Sequence, residues 1–367
     1  MRRAEVAFWV AGIGYIALAI VSKEVYGLGR VQPAPLLYAL LFLLSIQAGK
    51  TVAGRMDPRV KGTVYAVVGV TILAITSTVT GIVGVALLLT TVLAIRRLFM
   101  PVRTNAEWFR DIAWKVAFLG AVTTAVAGFL LGGIPLLEPA LRYSQYRVLY
   151  LSAGYLLALS IAMRPSVFVL ALGILLGIAT TFRTVLLAPL LAYFFRTMLG
   201  SWKPEGVKRV APLIALGIVA GFLARYWATV SSYPSWHLDF LGTLLYRPGV
   251  TYTVYERLFW LGYPLGRHEI LFSTNPKLLV GHLFGRDVGY TYTMFGQPAY
   301  DFGLTGLLEG VLLGMAVGDS FRFRTTATLS LTLMTLAIPI GLDAFFVSAV
   351  LLNGLITSEV MACESRS

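Results

Sequence analysis

Five arginines, Arg142, Arg147, Arg183, Arg225 and Arg257, are the side chains of this sequence best suited to chemistry. A guanidinium is planar, permanently charged and bidentate toward phosphate, so a group of them facing one cavity suits a diphosphate. Arg183 interrupts a continuous apolar tract, where an isolated arginine costs roughly 3 kcal/mol on insertion scales unless it faces a bundle interior or water. For each loop arginine the plain alternative is a stem lying along the bilayer edge with its head on lipid phosphate. The signal is therefore collective.

For a general base that takes the proton of an attacking hydroxyl, His268, Glu256 and Asp301 are the foremost candidates, followed by Asp239, Asp287 and His237. Glu256 adjoins Arg257 and His268 adjoins Arg267, so a surface ion pair or hydrogen bond is the competing reading of each. Asp301 precedes Phe302-Gly303 at the head of an apolar run and could equally cap that helix. Nine of the 18 tyrosines fall between positions 226 and 300. Tyr255, Trp260, Tyr292 and Tyr300 are the candidates for stacking on sugar rings, against the alternative of an aromatic belt at a bilayer interface. Glu309 and Asp343 lie in apolar tracts and read either as coupling-ion sites of a transporter or as buried, hydrogen-bonded acids. The glycines at 296, 303, 306, 310 and 314 follow no strand and precede no Lys-Ser/Thr pair, so they read as close helix packing and not as a phosphate loop. A single cysteine, Cys363, and three scattered histidines give no metal-ligand spacing, and no metal or cofactor is expected.

The elements that must position these groups follow from composition. A 57% hydrophobic share, a 13% charged share and a mean hydropathy of +0.79 exclude a soluble domain of this length. At about 20 residues per bilayer crossing, the apolar tracts give about twelve spans in one integral membrane domain over 1–367, an all-α polytopic bundle. They are expected near 5–22, 34–49, 63–78, 80–96, 111–132, 148–162, 165–181, 184–199, 209–229, 302–319, 325–341 and 343–358. The basic clusters Arg2-Arg3, Lys50 to Lys61, Arg96 to Arg110, Lys203 to Arg209 and Arg322-Arg324 then all fall on one side. By the positive-inside rule that side is cytoplasmic, which places both termini inside and leaves residues 230–301 as a long extracytoplasmic loop carrying short helices. The first apolar run lacks a small-residue cleavage site and reads as a retained span. The net charge of +13 belongs to these loops and to an anionic substrate, not to nucleic acid.

Two segments resemble a known family. Gly133-Ile-Pro-Leu-Leu followed by Arg142, and Thr291-Tyr-Thr-Met-Phe-Gly-Gln-Pro-Ala-Tyr-Asp-Phe-Gly-Leu-Thr-Gly306 opening a late span, are similar to oligosaccharide repeat-unit polymerases of the Wzy type, relatives of the O-antigen ligases. The resemblance implies a membrane glycosyltransferase of the broad C type. Such an enzyme moves a glycan from a polyprenyl-diphosphate carrier to the sugar of an acceptor lipid-linked unit, on the outer membrane face and without a required metal. It also implies membrane lipid as an environment and a chain-length regulator or flippase as a protein partner. Arg142 is the diphosphate-binding residue carried over by a motif, and the resemblance leaves the base unassigned. An O-antigen-type ligase is the alternative within the class. A secondary transporter or flippase of lipid-linked glycans, built around Glu309 or Asp343, is the alternative outside it.

Overall fold

The structure is a computed structural model that describes residues 2–76, 106–200 and 204–364. Among the described residues all regular structure is helical. That is what hydrocarbon demands, because a helix satisfies every interior N–H and C=O within one segment. In order the helices are α1 (Arg2–Val25), α2 (Pro33–Ala53), α3 (Pro58–Thr76), α4 (Ala106–Gly132), α5 (Arg147–Met163), α6 (Val167–Thr180), α7 (Arg183–Leu199) and α8 (Pro204–Ser232). They continue as α9 (Phe240–Gly262), α10 (Pro276–Leu283), α11 (Thr293–Phe302), α12 (Gly306–Ser320), α13 (Arg324–Ile340) and α14 (Ala344–Glu364). Among the described residues five stretches are long and apolar enough to cross a membrane: Arg3–Val25, Pro33–Ala53, Asp111–Gly132, Val210–Ser232 and the run Thr293–Ser320. α5, α6 and the first part of α14 are shorter apolar helices. The protein is a polytopic membrane helical bundle. The span expected at 80–96 lies outside the described residues.

The chain forms two compact units, Asn105–Leu244 with the first four residues, and Glu5–Thr104 with Leu245–Ser367. In the first, α4 and α5 make a hairpin whose turn is fixed by Tyr150. Its hydroxyl lies 2.8 Å from the Gly128 carbonyl and 2.6 Å from that of Gly133. A 3-10 turn, Pro139–Tyr143, follows and packs against α5 and α8. The N–H of Leu136 donates to the Ala179 carbonyl at the end of α6 (2.9 Å).

The second unit is built on the close pairing of α2 with α12. Side chains at Gly49, Gly310 and Gly314 would run into Val311, Ser45 and Ile46 of the facing helix, so these glycines let two backbones touch. Such small-residue seams hold helices together where no hydrophobic effect can. At one end of this unit Lys61 Nζ is 2.5 Å from Asp319, whose other oxygen accepts from the Tyr65 hydroxyl (2.8 Å), and all three are buried. At the other end lie the turn between α1 and α2, helices α9 to α11 and the start of α14.

The stretch 230–301 is more helical than a loop with short helices, because α9 runs for 23 residues through Pro248. Its sequence looks polar and broken, yet Tyr252, Tyr255, Leu258 and Phe259 on one face are at most 4% exposed. Packing of that aromatic face, and not propensity, keeps the helix continuous.

Candidate active site

Asp301 is the centre of the described polar structure in the second unit. It sits near the C-terminus of α11, is 0% exposed, and does not cap the helix it precedes. Its Oδ1 accepts the backbone N–H groups of Glu269 (2.8 Å) and Ile270 (2.7 Å). Its Oδ2 accepts that of Leu271 (2.6 Å) and the amide of Gln297 (3.1 Å). The carbonyls of Tyr300 and of Asp301 itself accept the N–H groups of Arg267 (2.8 Å) and His268 (3.2 Å). Five consecutive backbone donors, 267 to 271, are thus spent on two residues of α11. A carboxylate offers about four acceptor sites, and here all are used by N–H groups.

The same segments meet backbone to backbone. Gly266 (φ 93°) lies against the Asp301 carbonyl and Gly303 (φ 56°) against that of Pro264, contacts that no side chain would permit. His268 is held at φ 59°, a left-handed conformation unusual outside glycine. Its exposed ring stands 5.5 Å from the Phe302 ring, centroid to centroid. Thr181 and Thr293 share this backbone region, and in each case the surrounding structure must hold it.

The clamp extends inward. Gln297 is four residues before Asp301 on the same helix, and its Nε2 also donates to Glu309 Oε2 on α12 (3.2 Å). Gln297 Oε1, Glu309 Oε1 and the Tyr38 hydroxyl are buried without a hydrogen-bond partner among the described residues. Glu309, expected either as a coupling-ion site or as a buried hydrogen-bonded acid, accepts this one bond from Gln297. Asp343 lies in the turn before α14 and accepts the Phe346 N–H (3.0 Å). Burial raises its pKa above the ordinary carboxylate value, a shift only partly opposed by nearby Lys277 and its backbone bonds.

Other expected site residues have structural surroundings. Glu256 is buried and paired with Lys23, while its Oε1 accepts the Gln32 N–H (2.9 Å). With both oxygens engaged it ties α9 to the α1–α2 turn and is poorly placed as a base. Tyr255 (0% exposed) donates to the Pro35 carbonyl (2.5 Å), and Tyr292 (1%) to that of Leu342 (2.8 Å). Tyr300 (2%) donates to Glu269 (2.6 Å). None of these three presents a ring face to a sugar, because packing covers it. Trp260 is the exposed one of the four, with its indole N–H on Gln32. Arg257 is exposed and lies over the Phe284 ring (5.7 Å).

The other four arginines belong to the first unit. Arg142 is 6% exposed on the 3-10 turn, Arg147 opens α5, Arg183 opens α7 and Arg225 lies toward the end of α8. Arg183 is therefore half-buried at the turn between α6 and α7, in the gap between the spans expected at 165–181 and 184–199. The turn that carries Arg142 packs on the helices that carry Arg147 and Arg225.

A family model described as O-antigen polymerase matches residues 32–354, nearly the whole chain. The chain belongs to the O-antigen polymerase family. No curated protein and no solved structure matches it. Membership makes it a glycosyltransferase-type enzyme of the membrane, acting on lipid-linked oligosaccharides. The match spans α2 through the first half of α14 and so includes every residue of the clamp. Gln297 is the clamp residue that sequence reading passes over. Its helical i,i+4 relation to Asp301 was a usable signal.

Proposed function

We propose that this O-antigen polymerase family member lengthens glycans by transferring an oligosaccharide from a polyprenyl-diphosphate carrier to a sugar hydroxyl of a second lipid-linked unit. The reaction is placed on the outer membrane face, with the termini cytoplasmic, on the asymmetry of basic loops. The observation that carries the reading is the fixation of residues 268–271 on Asp301, with His268 held at φ 59°. In this reading His268 is the base and Asp301 a positioning residue. The acceptor hydroxyl gives its proton to the imidazole, its oxygen bonds to the anomeric carbon, and the bond from that carbon to the diphosphate oxygen breaks. The lipid diphosphate departs with the electron pair. Arginine stabilises the developing charge, with Arg257 the candidate in the same unit as His268. Arg142, Arg147, Arg183 and Arg225, all in the first unit, are the candidates for phosphate there. Trp260 is the remaining aromatic candidate for a sugar face.

The test is reconstitution into vesicles with a lipid-diphosphate oligosaccharide and measurement of glycan length. The expected outcome is a ladder of longer glycans that His268→Ala slows by about 10²- to 10⁴-fold, the usual worth of a positioned base. Absence of any lengthened glycan, with Arg142→Ala equally without effect, would contradict the proposal.

A further inference from the structure

A cavity of about 430 Å³ opens in the second unit between α3, α12 and the start of α14. Among the described residues its walls include Val67 and Ile72, Leu308 and Leu312, and Val347. Leu271 and Phe302 complete it on the side of the clamp. This volume lies within the range of small-molecule sites, roughly 300–1,000 Å³. Its surface is almost wholly hydrocarbon, although three polar residues border it. Thr71 turns its hydroxyl to the Val67 carbonyl (2.8 Å) and Thr305 to that of Phe302 (2.7 Å). Glu309 accepts the Gln297 amide N–H on one carboxylate oxygen, and the other is buried. A wall so largely of hydrocarbon, with both threonine hydroxyls turned to nearby backbone carbonyls, suits an occupant without hydrogen-bonding groups.

Its position identifies that occupant. Leu271 is the last residue held by the Asp301 carboxylate, and Phe302, which lines the cavity, is the residue against which the His268 ring rests. One wall of the cavity is thus the residue that the His268 ring approaches. We infer that the cavity holds the isoprenoid segment of a lipid-linked substrate next to its diphosphate, so that the reacting sugar is brought to His268 by its own anchor. This rests on the polymerase reading for the identity of the substrate. An acyl chain of bulk phospholipid would fit the walls equally well, but nothing would tie it to the one wall shared with His268.

The experiment uses the intact protein in phospholipid nanodiscs and a polyprenyl diphosphate bearing a diazirine in its first isoprene units. On irradiation, adducts are expected on 67–72 and 308–312, suppressed by unlabelled polyprenyl diphosphate and not by excess phosphatidylglycerol. Leu312→Trp, which fills the cavity, is expected to abolish the adducts on 67–72. It should also raise the KM for lipid-linked substrate about tenfold, the equivalent of some two buried methylenes, with little effect on kcat. Adducts spread over outward faces such as Leu216 and Val219 of α8, or competition by phosphatidylglycerol, would overturn the inference. Should adducts form as expected while no sugar is transferred, the polymerase reading fails and the chain site stands. Sugar transfer with unspecific adducts means the reverse.

Discussion

Asp301 and Asp319 are buried acids of the same unit, 0% and 7% exposed, and they are satisfied in opposite ways. Asp319 faces a cation, Lys61, and a hydroxyl, Tyr65, both from α3. Asp301 accepts N–H groups alone, three from a loop backbone and one from Gln297. An ion pair between side chains fixes the register of two helices. A carboxylate bonded to successive peptide N–H groups fixes the conformation of a segment, and the segment here carries His268. In the proposed reading, the difference separates an end of the unit built for stability from an end built to present a side chain.

The comparison breaks or sharpens under substitution. The largest effect is expected from Asp301→Ala, which leaves three buried backbone donors unsatisfied at about 1–3 kcal/mol each. Amide exchange of 269–271 should accelerate by at least about a hundredfold and glycan transfer should collapse with it. Asp301→Asn, which retains a carbonyl oxygen, should fall between. Next comes Lys61→Met, which strands Asp319 and should destabilise the protein by about 3–5 kcal/mol in denaturant titration. The folded fraction should still turn over, and adding Asp319→Leu should restore most of the stability. Loss of turnover in Lys61→Met at unchanged stability would erase the distinction drawn here.

Asp343→Asn is the smallest case and depends on pH. Because burial raises the folded-state pKa of Asp343, its contribution is favourable below the unfolded-state value near 4 and lost as pH rises through the folded value. Asparagine keeps the helix cap and mimics the neutral acid. The variant should match wild type near pH 4 and exceed it at pH 8 by less than about 1 kcal/mol, read from thermal unfolding at both pH values.

Much of the bundle was legible because a bilayer imposes one length and one polarity on each span. The runs at 34–49, 148–162 and 184–199 reappear as α2, α5 and α7 with boundaries shifted by a few residues. The glycines of α12 read correctly as a packing seam, since no competing motif surrounded them. Helix α9 was hidden, because its stability comes from tyrosines buried against other elements. Those tyrosines are indistinguishable in sequence from an interfacial belt or a sugar platform. Asp301 was picked out as a chemical residue, but its partners are peptide N–H groups, which every residue except proline possesses and which no pattern advertises. Glu256 misled for a similar reason, since Lys23 lies 233 positions away and only the fold brings them together.

The central claim is that Asp301 acts on sugar transfer through the conformation of His268. A double-mutant cycle on initial rates of glycan lengthening, with His268→Ala, Asp301→Asn and the pair in the same vesicles, tests it directly. The account expects the double variant to be no slower than His268→Ala alone, because a clamp has nothing left to position. Rate losses that multiply, or an Asp301→Asn protein with wild-type rate, would contradict it.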